Sequence, residues 1–287
     1  MPVTYSPLRY PGGKTQLTPF VVDLLRANDL FYGSYAEPFA GGCGVALKLL
    51  MDGFMSEIYI NDIDPAIYSM WNSVINETDE LCSLIERTPI TIAEWRRQRA
   101  IQDGGGESSL ELGFSTLFMN RTNRSGILKA GVIGGFDQRG DYLIDCRFHK
   151  VNLIKKIRRI ALYADHIHLT QLDAIQFLRK VVKKIKGKAL VNIDPPYYKK
   201  GPELYRNFYG HDDHVLLSRE IAKLGHPWMV TYDNAPEIRE IYDGYPALRK
   251  TLRYSAQVKR MGVELLILDP TLKAPRREPS KSATSAA

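Results

Sequence analysis

The chain has 287 residues, 44% of them hydrophobic and 25% charged, which excludes fibrous and low-complexity classes and fits a folded globular protein. Its net charge of +7 favours a polyanionic partner, while the longest apolar runs fall short of a membrane span or a secretory signal, so no membrane association is expected. Cys43, Cys82 and Cys146 are widely scattered, form no CxxC and cannot all pair, which implies a reducing, cytoplasmic setting and no zinc site.

The first motif is Arg9-Tyr10-Pro11-Gly12-Gly13-Lys14-Thr15. Gly-Lys-Thr invites a phosphate-loop reading, but that pattern needs a glycine where Leu8 stands and an apolar strand before it. A glycine turn that lets backbone approach a ligand, with Lys14 facing a carboxylate, fits the spacing better. The bland alternative is a helix start with a solvated lysine. Phe20, Val21, Leu24 and Leu25 predict a helix over 19–30. The run Glu37-Pro38-Phe39-Ala40-Gly41-Gly42-Cys43-Gly44 then forms a glycine loop, 45–51 a helix, and Ile58-Tyr59-Ile60 a strand ending in Asn61-Asp62-Ile63-Asp64. Glycine loop, helix and strand with an acid at its tip form a nucleoside-binding layout, in which the acid accepts from ribose hydroxyls. Leu47 stands where the dinucleotide pattern has its last glycine, so a ligand without pyrophosphate is expected. S-adenosylmethionine has a ribose, an adenine and a charged amino-acid end, and no phosphate. Alone, Asp62 or Asp64 reads as a helix N-cap.

Helices are expected over 79–87 and 92–101, with a soft loop at 103–107. Over 117–135, Arg121, Arg124 and Lys129 alternate with glycines and small apolar residues, as in a loop or β-hairpin laid on a phosphate backbone. Residues 151–163 form a basic amphipathic helix, with Lys155, Lys156, Arg158 and Arg159 on a solvated face. A short strand over 167–169 leads to Asp173, the natural N-cap of a helix over 174–184. His149, His166 and His168 lack metal-ligand spacing, and no metal is expected.

The apolar run Ala189-Leu190-Val191-Asn192-Ile193 reads as a buried strand, and Asp194-Pro195-Pro196-Tyr197 stands at its carboxyl end. The prolines stop the ladder and stiffen the exit. Ligands bind at such strand ends in open α/β sheets. Asp194 and the Pro195 carbonyl are placed to accept both hydrogens of an exocyclic amino group on a base, with Tyr197 stacking on that base. A base inside a duplex has to be flipped out to reach such a pocket. Residues 198–210 form a polar, aromatic loop suited to closing over substrate, 211–224 a helix, 228–234 and 263–268 strands, and 273–287 a disordered tail.

Four motifs in order, Tyr10-Pro11-Gly12-Gly13-Lys14, Glu37-Pro38-Phe39-Ala40-Gly41-Gly42, Asn61-Asp62-Ile63-Asp64 and Asp194-Pro195-Pro196-Tyr197, span nearly the whole chain. Together they resemble the D12 class of DNA adenine-N6 methyltransferases, the Dam-like group. The departure is Cys43, where that family often has a further glycine. The resemblance implies a Rossmann-like α/β methyltransferase sheet with a helical target-recognition insertion carrying a β-hairpin. The catalytic domain would occupy 1–68 and 151–272, the DNA-binding insertion 69–150, and the tail 273–287. The implied reaction is methyl transfer from S-adenosylmethionine to adenine N6 in double-stranded DNA, leaving S-adenosylhomocysteine. Asp194, Pro195, Pro196 and Tyr197 would be catalytic. Tyr10, Gly13, Lys14, Glu37, Pro38, Phe39, Gly41, Gly42, Asp62, Asp173 and Asp194 would hold the donor. Arg9, Arg121, Arg124, Ser125, Ile127 and Lys129 would meet DNA, Arg121 through phosphate and Arg124, Ser125, Ile127 and Lys129 nearer the bases or the vacated stack. Gly135-Phe136-Asp137-Gln138-Arg139 differs from the corresponding run of GATC-specific members, so GATC specificity is not carried over. A monomer of prokaryotic or phage origin is expected, with a cognate restriction endonuclease as a candidate partner. The rivals are an RNA adenine or cytosine-N4 methyltransferase and a catalytically silent DNA-binding relative.

Overall fold

The computed structural model describes residues 4–9, 14–105, 108–198, 209–254 and 260–275. Seven strands form one sheet: β1 (Ser34–Glu37), β2 (Glu57–Asn61), β3 (Ile167–Thr170), β4 (Ala189–Ile193), β5 (Trp228–Asp233), β6 (Ala247–Tyr254) and β7 (Arg260–Leu268). Their order is β3-β2-β1-β4-β5-β7-β6. The first five pair in parallel, and β7 joins β5 and β6 antiparallel. β4 is buried at every position, as a central strand covered on both faces must be, and its apolar run supplies the side chains for that.

The helices are α1 (Thr18–Ala27), α2 (Gly44–Met51), α3 (Pro65–Asn76), α4 (Thr78–Arg87), α5 (Ile92–Ala100), α6 (Ser109–Thr122), α7 (Lys150–Ala161), α8 (Ala174–Lys180), α9 (His211–Ile221) and α10 (Pro236–Ile241). Local chemistry sets several starts. Asp64 accepts from the Ala66 N–H at 2.9 Å with Pro65 at the first helical position, and Thr91 and Ser108 cap α5 and α6 through their hydroxyls. Two apolar clusters cover the sheet. One joins Leu24, Leu47, Ile58 and Leu190 to Trp71, Leu81, Phe118 and Ile157 of α3, α4, α6 and α7. The other packs Val191, Val230 and Ile267 against Phe177, Leu217 and Ile238 of α8, α9 and α10. Each fully buried leucine or isoleucine contributes about 1.5–3 kcal/mol to this scaffold.

The sheet is mixed α/β and mostly parallel, as expected. The loop or β-hairpin expected over 117–135 is corrected at its start: Leu117 to Thr122 complete α6, and the segment after it is a loop closed by an antiparallel bridge between Asn123 and Val132 and not a paired hairpin. The reason lies in α6 itself, which buries Phe114, Leu117, Phe118 and Met119 together with the polar Ser115, Thr116 and Asn120, so no one-sided apolar stripe marks it in sequence. The strand at Ala247–Tyr254 and the helix at Pro65–Asn76 were also not expected. Among the described residues no helix is long and apolar enough to cross a membrane.

Candidate active site

From β1 the chain works outward through β2 and β3, and from β4 it works the other way through β5, so the strand order reverses between β1 and β4. At such a reversal the connections leave on opposite faces and open a crevice at the carboxyl ends of the strands. Glu37 ends β1, Asp62 follows β2, Asp194 follows β4 and Asp233 ends β5. On antiparallel β7, Glu264 lies directly opposite Asp233. Five carboxylates therefore converge on one edge, each delivered by a different strand.

At the centre is a largely buried network. The Lys14 ammonium lies 3.2 Å from Asp194 Oδ1 and 3.2 Å from Glu264 Oε2. It donates to the Tyr197 hydroxyl at 2.7 Å, which in turn donates to Glu264 Oε1 at 3.1 Å. Thr231 on β5 donates to Asp194 Oδ1 at 2.5 Å. Both contacts to Asp194 thus fall on Oδ1. Lys14 and Glu264 are almost fully enclosed, while the Asp194 side chain keeps 27% of its surface exposed, which leaves it the member open to the crevice. Burial pushes the Glu264 carboxyl up, with Lys14 opposing that shift and Asp194 adding to it. Pro195, Pro196 and Tyr197 are buried, and the Lys14 ammonium stands 4.6 Å over the Tyr197 ring.

The glycine loop forms a second group beside it. Asp62 Oδ2 accepts from the Gly41 N–H at 2.9 Å, Asp62 Oδ1 from the Asp64 N–H at 3.0 Å, and the Trp71 indole donates to the Gly41 carbonyl at 2.9 Å. Gly41 and Cys43 both take positive φ, 44° and 50°, so the loop is wound tightly before α2 begins. A Cβ on Gly44 would stand 2.2 Å from Thr15 Oγ1, so the Lys14 segment and the glycine loop meet there. Asn61 fastens the surrounding loops, donating to the carbonyls of Pro38 and Leu172 and accepting from Thr170 and the Leu172 N–H. Glu37 accepts from the Tyr35 hydroxyl at 3.0 Å, and desolvation, reinforced by Asp194, raises its pKa to about 8. Desolvation likewise raises Asp62 to about 7. Phe39 meets Tyr209 edge-on at 5.8 Å. Asp173 caps α8 through Oδ1, accepting from the Ile175 and Gln176 N–H groups.

These residues suit a cationic nucleoside ligand. Two carboxyls are held partly protonated by burial, a condition that a positive charge nearby would reverse, and the wound loop presents backbone where side chains would intrude. Tyr10 and Gly13 lie outside the described residues, as do residues 199–208 of the segment expected to cover the crevice. The described ends of that segment, Tyr198 and Tyr209, both pack on His214, at 5.3 and 5.5 Å. Burial drives the His214 pKa down to about 4, so its ring is neutral as it bonds the Tyr232 hydroxyl at 2.8 Å.

The residues expected to meet DNA separate into two sets. Arg124 and Lys129 are exposed, on the loop that follows α6, with Ser125 and Ile127 half-buried beside them. Arg121 is turned inward: its guanidinium donates twice to the Pro7 carbonyl, and desolvation lowers its pKa to about 10. Arg9 is half-buried, and its backbone is clamped by Asn120, which accepts from the Arg9 N–H at 2.8 Å and donates to the Arg9 and Gly126 carbonyls. Glu264 and Thr231 are not marked out by the sequence, and Asn61 and Asn120 acquire their fastening roles only in the fold. Glu264 carries the one available signal, an acid inside an apolar strand.

The sequence profile of the D12 class N6 adenine-specific DNA methyltransferase family matches residues 10–256. No curated protein matches the chain at a significant level. Among solved structures, one from Pyrococcus horikoshii described as a candidate RNA methyltransferase is similar at 11% identity over 91% of this chain and 84% of its own, with a TM-score of 0.41. TrmN from Thermus thermophilus is similar at 10% identity over 85% of this chain and 46% of its own, with a TM-score of 0.37. An rRNA methylase from Streptococcus thermophilus is similar at 11% identity over 88% and 96%, with a TM-score of 0.32. The family match covers both the glycine loop and the Asp194 motif, and the chain belongs to the D12 class of N6 adenine-specific DNA methyltransferases.

Proposed function

We propose that this methyltransferase acts on N6 of an adenine flipped out of duplex DNA, with Asp194 holding the amino group. The observation that carries this reading is the asymmetry of Asp194: Lys14 and Thr231 both engage Oδ1, which fixes the carboxylate while its exposed side faces the crevice. An adenine amino group is a poor nucleophile because its lone pair is conjugated with the ring. Accepting its two hydrogens at Asp194 and at the Pro195 carbonyl draws the nitrogen toward a tetrahedral shape and frees the lone pair. The nitrogen gains positive charge as it is alkylated. Among the described residues the network sets the carboxyls of Asp194 and Glu264 around the Lys14 ammonium, and the Asp194 carboxylate beside the amino group favours that change. S-adenosylmethionine supplies the methyl group on a sulfonium that is already activated for displacement. Glu37, Asp62, Asp173 and the backbone of the Gly41 loop are the groups suited to hold it, Asp62 at the ribose and Glu37 near the cationic end. Positioning two bound reactants in line then accounts for much of the acceleration.

The test is product identity. Duplex DNA and RNA of matching sequence are incubated with the protein and labelled methyl donor, digested, and the modified nucleoside identified. N6-methyladenine in the DNA is the expected product. N4-methylcytosine, or label confined to the RNA, would overturn the proposal.

A further inference from the structure

Outside the crevice the chain builds a second concavity, of about 330 Å³, where α7 and the end of α6 meet the N-terminal segment. Arg121, Arg147, His149, Lys155, Lys156 and Arg159 line it, and among the described residues no carboxylate does. Asp52 stands at its edge, accepting from Lys48 and from the Tyr5 hydroxyl. It also feels Arg159, whose guanidinium stacks 4.6 Å from the Tyr5 ring centre. Asp52, already shared with Lys48, lies beside a lining that carries five permanent cations.

The charges crowd one another instead of pairing. Desolvation and then Arg9 and Arg147 depress Arg121, and desolvation and then Arg121 depress Lys156. Arg121 and Lys156 are half-buried and anchored to backbone, Arg121 to Pro7 and Lys156 to the Ser6 carbonyl at 3.2 Å. Arg147, His149, Lys155 and Arg159 are exposed around them. An inner pair fixed in place and an outer ring with reach is a built cradle for an anion. Uncompensated like charge held together by the fold costs stability, and a phosphate oxyanion reverses that cost.

We infer that this concavity binds phosphate groups of the DNA backbone flanking the target, apart from the crevice and from the Arg124–Lys129 loop. The inference rests on the duplex-DNA reading above. The occupant is argued from charge and place. The overall charge of +7 already favours a polyanion, and the lining residue Arg121 follows Asn120, which clamps Arg9 and Gly126, so a backbone lying here adjoins the base of the loop that carries Arg124 and Lys129. A free phosphate or pyrophosphate shares the same chemistry and is the other source to distinguish.

The test measures duplex binding by fluorescence anisotropy as salt is raised. Each phosphate contact contributes about 0.9 to the slope of log affinity against log salt. The double variant Arg147→Gln, Lys155→Gln should lower that slope by about two units for every duplex sequence, and Lys155→Gln alone by about one. Arg158→Gln removes a charge from the same helix outside the concavity, where Arg158 lies 3.8 Å from Asp79, and should leave the slope near the wild-type value. All the altered residues are exposed, and matching thermal unfolding curves confirm folding. If the double variant and Arg158→Gln change the slope equally, or neither changes it while wild-type protein still binds and methylates duplex DNA, the site is overturned and the DNA reading survives. Wild-type protein with no salt-dependent affinity for duplex overturns the DNA reading itself. Inorganic pyrophosphate, titrated calorimetrically into DNA-free protein, separates the sources. Binding that the double variant loses, with an unchanged DNA slope, assigns the concavity to free phosphate and overturns the inference.

Discussion

Glu37 and Asp62 sit where burial works against their charge, with pKa values raised to about 8 and about 7 from ordinary values of 4.5 and 3.8. The folded protein therefore holds protons on both groups that the unfolded chain has released, and stability contributed by these groups falls as pH rises from about 4 to about 8. A cationic donor reverses the preference. Its binding should release protons, and its affinity should rise between pH 6 and about 8 and then level off, as calorimetry in buffers of different ionisation enthalpy would reveal. Equal affinity at both ends of that range, with no proton release, contradicts the assignment of these acids to the donor. Asp62 carries a second load, because both its oxygens accept backbone N–H groups that fix the glycine loop. Asp62→Ala should weaken S-adenosylmethionine binding by about 1–3 kcal/mol, the usual cost of unmatched buried hydrogen bonds. An unchanged affinity in the same titration moves the ribose role away from this strand.

The loop after α6 is held by Asn123, which donates to the Ile127 and Leu128 carbonyls, and by the tight turn at Ser125 and Gly126. Gly126 has φ of 77°, and a Cβ there would stand 2.2 Å from the Arg9 carbonyl oxygen. Gly126→Ala should cost about 1–3 kcal/mol in chemical denaturation and loosen the loop from the N-terminal segment. A wild-type unfolding midpoint would show that the contact relaxes freely. Arg124 and Lys129 are exposed on this loop, where long cations can reach acceptors on base edges. Arg124→Ala or Lys129→Ala should relax the choice of base at one position, at a cost of about 1–3 kcal/mol there. Arg121→Ala should instead lower stability, since its guanidinium is committed to Pro7, and leave the recognition site intact. Mapping methylated positions for each variant separates these outcomes, and a site broadened by Arg121→Ala alone would reverse the roles. The helix that carries this loop could not be seen in sequence, because it is enclosed on nearly every side and buries Ser115, Thr116 and Asn120 alongside its aromatics.

At the scale of the molecule, the apolar strands Ala189–Ile193 and Trp228–Asp233 and the acid-tipped strand Glu57–Asn61 announced the sheet, and with it the crevice. Ser34–Glu37 did not, having four residues and none of them β-branched, and it is a strand because β2 and β4 hold it from both sides. Long-range pairing also hid half of the candidate site. Glu264 reads as an interruption of an apolar run until β7 sets it opposite Asp233 and beside Lys14. The motifs themselves were legible because each depends on local order: glycines before a helix, an acid at a strand's end, prolines after one. Everything converges on Asp194, the one network carboxylate with substantial exposure, anchored through Oδ1 by Lys14 and Thr231. The most direct test is single-turnover methylation of duplex DNA by wild-type protein and by Asp194→Ala, with binding of donor and DNA measured in parallel. Wild-type protein should form N6-methyladenine, and the variant should bind both partners while its rate falls by orders of magnitude, because the lost contact strengthens most in the transition state. A variant that methylates at a near-normal rate would contradict the account.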